Sequence, residues 1–188
     1  MPEYFLNVAW FVLLLPLAAA VVITLLTHRD ARLSAGLSIG AIILSFIGSL
    51  VLFSVAPQTS MGTELKILWL AVADLHVEFG LRLDALSRMM LLIVTGVGSA
   101  IHIYSFGYMA GDRGFARFFA TLSLFTFSML GIVMATNFFE MFVFWELVGL
   151  CSYLLIGFWY EEELPQTPRK RRSSPIVSVT SASLWEFF

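Results

Sequence analysis

The chain has 188 residues, of which 59% are hydrophobic and 13% charged, and its mean hydropathy is +0.88. That profile excludes a soluble globular domain and belongs to a polytopic membrane protein whose surroundings are the lipid bilayer. The formal net charge of -2 singles out no partner, and no nucleic-acid partner is expected.

The first 27 residues hold an uncharged run from Tyr4 to Thr27. It exceeds the roughly 20 residues needed to cross hydrocarbon, and Glu3 with no Lys or Arg at its start argues for a retained span rather than a cleaved signal. After the polar loop His28 to Arg32, a second span runs over 33–56, where Gly36 and Gly40 at i, i+4 are expected to admit a neighbouring backbone. Pro57 to Asp84 is the one long extramembrane stretch. From Leu75 to Asp84 apolar and polar residues alternate strictly, the period of a half-buried strand. Glu64 to Val72 is expected to pair with it across Ala73-Asp74, with His76 on the solvent side.

Asp84 and Ser87 are both good N-caps for a third span over 86–106, and Arg88 in its first turn can snorkel outward. His102 lies near the far end of that span, either as a hydrogen-bonded interfacial residue or as a titrating one. Gly107 to Arg117 reads as a basic loop, 118–135 as the fourth span and 138–159 as the fifth. The short link at Thr136-Asn137 requires the fourth and fifth helices to be antiparallel neighbours. The fold class is therefore all-α, with about five transmembrane helices and a small extramembrane β-hairpin between helices 2 and 3.

From Met141 to Tyr160 the only charged side chain is Glu146. A charge at bilayer depth costs about 3 kcal/mol or more, so it persists with a partner, a water-filled cavity or a proton. Two uses follow: a proton- or ion-path residue, or a structural pair locking two helices. Glu140 is six residues away and turned about 240° from it on a helix, so the two do not form a carboxylate pair, and Glu140 reads as an interfacial charge. Cys151 sits mid-helix as a small buried hydrophobe. His28, His76 and His102 lie in three separate segments, and no Gly-rich phosphate loop follows a strand. No metal site, no catalytic residue and no cofactor is expected in this chain.

The segments LDALSRMMLLIVTGVGSAIHIYSFGYM, FARFFATLSLFTFSMLGIVMATNFFEMFVFWE and FWELVGLCSYLLIGFWY closely resemble the large antiporter-like membrane subunit, subunit L or chain 5, of proton-pumping NADH:quinone oxidoreductase, respiratory complex I. The likeness is dense from about Leu81 to Tyr160, while before it only hydropathy and order agree. The resemblance implies a membrane-arm subunit acting in proton translocation coupled to quinone reduction, with the other membrane subunits as partners and with no redox site of its own. Glu146 matches the family's helix 5 glutamate, a member of its proton pathway, and His102 is the second candidate. It also implies an energy-coupling membrane, the bacterial inner membrane or its equivalent. Rival readings are the large subunit of a multisubunit Na+/H+ antiporter or membrane-bound hydrogenase, and a non-transporting membrane scaffold.

Loop charges give the orientation. With the N-terminus outside, Arg29, Arg32, Arg113 and Arg117 fall inside against Lys66, Arg82 and Arg88 outside, and the inside loops are the shorter and denser in basic residues. The resemblance ends near Leu164. Residues 165–188 are polar, basic and rich in Ser and Thr, and are expected to form a disordered tail unlike the family. Reading the codons of Arg172 to Phe188 in a shifted frame, with permitted wobble bases, restores a family-like NRVGDFGF run. A frameshift that truncates a subunit L is the expectation, and a native basic tail the alternative.

Overall fold

A computed structural model describes residues 3–27, 30–55, 63–72, 75–112 and 114–158. Its elements are α1 (Glu3–Val22), which continues into a π-helical turn (Ile23–Thr27), α2 (Ala31–Val55), β1 (Thr63–Val72), β2 (Leu75–Leu83), α3 (Ala85–Tyr108), α4 (Phe115–Met134) and α5 (Phe138–Ile156). All five helices are long and apolar enough to cross a membrane. The five spans and the hairpin between helices 2 and 3 follow the sequence expectation, with shifted ends. α3 runs on to Tyr108 and α4 starts at Phe115, so the expected Gly107–Arg117 loop shrinks to Met109–Gly114. The tail, the Ala73-Asp74 turn and the side chain of His76 lie outside the described residues.

α1, α2 and α4 pack against one another, α3 lies on α2 and α4, and α5 rests on α4. Because lipid is as apolar as leucine, these contacts rely on close packing and hydroxyl bonds rather than on hydrophobic burial. Pro16 within α1 shows how. Its ring nitrogen has no proton to give the Val12 carbonyl, and the Ser45 hydroxyl of α2 donates to that carbonyl at 3.1 Å. One helix defect thus becomes an interhelical bond. Further along α2, the Ser38 hydroxyl lies 2.6 Å from that of Ser123 on α4.

The glycines behave differently from expectation. A methyl group at Gly36 or Gly40 would meet nothing within 4 Å, so these two do not mediate a close approach among the described residues. The polar part of the buried face of α2 is Ser34, Ser38, Ser45 and Ser49, beside Ala35, Ala41, Ile42 and Leu52. Close approach occurs at Gly131 of α4, where a side chain would collide with the ring of Phe144 on α5.

The hairpin is antiparallel, pairing Glu64 with Arg82 and Val72 with Leu75, with an irregularity between Leu68 and Leu70. The alternation read from the sequence sorts its faces at the end nearest α3. Leu81 and Leu83 are buried in a cluster with Val12 and Leu13 of α1, Leu52 of α2, Leu91 of α3, and Leu130 and Met134 of α4, whereas Arg82 between them is exposed. Phe79 meets Phe144 at 6.0 Å between ring centroids. The hairpin therefore closes one end of the bundle.

Candidate functional site

Each helix that carries a candidate residue is fixed at its ends by polar contacts. Asp84 is the N-cap of α3, its Oδ1 accepting from the Ser87 amide at 2.7 Å. That bond above all holds the Asp84 carboxyl below its ordinary value; partial burial opposes it, and Arg82, 3.4 Å away, adds to the lowering. Ser87, the other expected cap, is buried inside the first turn. Arg88 turns back to donate from Nε to the Asp84 carbonyl at 3.2 Å.

α5 begins at Asn137, whose side chain accepts from the Glu140 amide at 2.8 Å. The Glu140 carboxylate answers from the third helical position, accepting from the Thr136 amide at 2.9 Å and the Thr136 hydroxyl at 3.0 Å. This is a capping-box exchange displaced by one residue toward the chain entering the helix. The same oxygen accepts a longer bond, 3.4 Å, from the Gly80 amide on β2. Glu140 is 1% exposed, which corrects its reading as an interfacial charge. It is buried because the hairpin folds over it and supplies a donor sixty positions away in sequence. At the other end of α5, Arg117 of α4 donates to the Phe158 carbonyl at 3.1 Å and stands 5.0 Å from the Phe158 ring centroid. A cation there complements the helix terminus.

Between these anchors α5 buries one stripe, Glu140, Phe144 and Cys151, spaced four and seven residues apart as one helical face requires. Phe144 also packs edge-on to Phe127 of α4 at 5.5 Å. Glu146 is two residues past Phe144, about 200° around the helix. It is half-buried, and no hydrogen bond or ion pair to it occurs among the described residues. Its immediate neighbours on the outer flank, Trp145 and Leu150, are exposed. Glu146 is therefore held at mid-helix on the side away from α4.

His102 is placed quite otherwise. It is 1% exposed on the buried face of α3, and its Nδ1 lies 2.7 Å from the Gly98 carbonyl. Since α3 packs on α2 and α4 while α5 packs on α4, the structure does not bring His102 and Glu146 together. Cys151 is buried, as expected. Among the described residues no cluster of three His, Cys, Asp or Glu side chains can hold a metal ion.

Residues 69–119 match the family profile described as NADH-Ubiquinone oxidoreductase (complex I), chain 5 N-terminus. Residues 135–167, which include Glu146, match that of the NADH:quinone oxidoreductase/Mrp antiporter membrane domain. NADH-quinone oxidoreductase subunit L of Rickettsia typhi is 43% identical over 159 residues, which cover 84% of this chain and 24% of that protein. NAD(P)H-quinone oxidoreductase chain 5 of Synechocystis sp. is 40% identical over 168 residues, covering 86% of this chain and 25% of the relative. Among solved structures, a chain of the Mrp complex from Dietzia sp. DQ12-45-1b superposes with a TM-score of 0.69 at 25% identity, over 94% of this chain and 18% of that one. Over residues 69–119 and 135–167 the chain is thus similar to complex I chain 5 and related antiporter-like membrane subunits, and it spans about a quarter of the length of the curated relatives it matches.

Proposed function

We propose that this chain forms the N-terminal membrane region of an antiporter-like subunit of NADH-quinone oxidoreductase, and that it takes part there in proton translocation coupled to quinone reduction. Its partners on this reading are the other membrane subunits of the complex, in an energy-coupling membrane such as the bacterial inner membrane. The N-terminus and the hairpin face the outside. The observation that carries the proposal is Glu146: a carboxyl in an apolar span, inside the matched antiporter segment, half-buried and turned away from the helix that packs on α5. A lone carboxyl in such a span is a group that can pass a proton to a neighbour, the elementary step of a proton path. His102 is a second protonatable group in the same bundle, on a separate seam.

The test is proton translocation per quinone reduced in the assembled complex. Glu146→Gln should remove most of it, and Glu146→Asp should keep part, the carboxyl lying one methylene short. Normal stoichiometry in the Gln variant refutes the role, and loss of assembly instead of pumping favours a structural pair. The Mrp likeness supports a second reading, a subunit of a sodium/proton antiporter. Transport that requires sodium and no quinone would select it. Orientation is checked by impermeant thiol labelling of cysteines placed at Gln58 and Asp112, which should react from opposite sides.

A further inference from the structure

The buried face of α3 is polar for most of its length: Ser87, Leu91, Thr95, Ser99, His102 and Ser105, three or four residues apart. The hydroxyls of Thr95 and Ser99 are satisfied within the helix, each donating to the carbonyl four residues back at 2.7 Å. The imidazole of His102 is satisfied at one nitrogen only. Because a carbonyl can only accept, the contact with Gly98 puts the proton on Nδ1. In the neutral ring Nε2 is then a bare acceptor, and it is buried with no hydrogen-bond partner among the described residues. A buried polar atom left in that condition costs about 1–3 kcal/mol, and ordered internal water is the usual remedy in a polar setting.

A side chain added at Gly96 would meet Phe46, and one added at Gly98 would meet Ile42, so α3 and α2 run antiparallel. One further helical turn places His102 at the level of Ser38. There the Ser38 hydroxyl bonds that of Ser123 on α4 at 2.6 Å and approaches the Phe119 carbonyl at 3.4 Å. Three helices therefore bring hydroxyls and an unsatisfied imidazole nitrogen to one level of the bundle.

We propose that an internal water binds Nε2 of His102 in the seam of α2, α3 and α4, and bridges it to the Ser38–Ser123 hydroxyl pair. The water donates to Nε2 and to a seryl oxygen, which gives it the minimum of two partners that a buried water needs. The site stands on packing alone. It supplies the reading of His102 as a protonatable group with a hydrogen-bonded neighbour, and the two fail separately.

A density map of the assembled complex, at a resolution that shows ordered waters elsewhere in this bundle, tests the site. The expected result is a peak at about 2.7–3.2 Å from Nε2, lost in His102→Leu and kept in His102→Gln, whose amide still offers an acceptor. A wild-type map with ordered waters nearby and none at Nε2 overturns the site, as does a ring turned so that a protein group bonds Nε2. If the peak is present and His102→Leu pumps normally, the water site holds and the proton-path role of His102 fails.

Discussion

Two carboxylates share α5, and their settings are opposite. Glu140, in the first turn, is sealed from solvent and accepts from two amides and a hydroxyl supplied by the α4–α5 link and the hairpin. Glu146, at mid-helix, is half-buried and has no bonded partner among the described residues. The difference teaches that depth in the sequence of a membrane helix does not measure commitment. The acid near the helix end is the structural one, because backbone donors are found where helices start and hairpins fold over. The acid in the middle has no backbone donor available, since the helix uses them all.

Replacing Glu140 by leucine is the strongest way to break this contrast. It leaves the Thr136 and Gly80 amides facing an apolar group, and should cost roughly 2–5 kcal/mol in unfolding experiments on the membrane-assembled protein. Glu140→Gln keeps an acceptor oxygen and should cost about 1 kcal/mol. Equal losses in the two variants would mean that the charge, not the acceptor, holds the link. Glu146→Gln sharpens the comparison from the other side: its unfolding midpoint should match the parent within about 0.5 kcal/mol, although most of the transport should be lost. A large destabilisation there would make Glu146 a second structural acid.

A third carboxylate, Asp84, gives the smallest effect and a pH signature. Its folded value is lowered by the Ser87 amide from the ordinary 3.8. The stabilisation is thus complete above that ordinary value and is lost as the pH falls through the lowered one. Unfolding midpoints should be flat in this respect between about pH 5 and 8 and fall below about pH 4 by at most about 1 kcal/mol. Asp84→Asn, which keeps a capping oxygen, should remove that slope. A slope that survives the substitution assigns it to other acids.

Much of this architecture was legible because charge-poor runs and period-two alternation are local signals. The five spans, the hairpin of Leu75–Leu83 with Thr63–Val72, and the cap at Asp84 all follow from neighbours in sequence. What escaped was which face of each helix meets protein. In water an apolar stripe marks the core, but in lipid both faces are apolar, so Gly36 and Gly40 drew attention while Ser38 and Ser45 made the contacts. Glu140 escaped for another reason: its donor on Gly80 is distant in the chain, and nothing around either residue announces the other. The isolation of Glu146 was legible only as a lack of nearby charge. Its rotation away from the α4 face required helix packing to be known.

The bond between Gly80 and Glu140 also orders events in time. Its two ends are separated by α3 and α4, one crossing in each direction, so the carboxylate cannot reach the strand until both helices have been threaded and α5 has begun to form. A contact of such long sequence separation carries a large loop-closure cost. Without α5 the Gly80 amide lacks this acceptor. Closure of the hairpin over the first turn of α5 thus depends on the preceding pair of helices being in place.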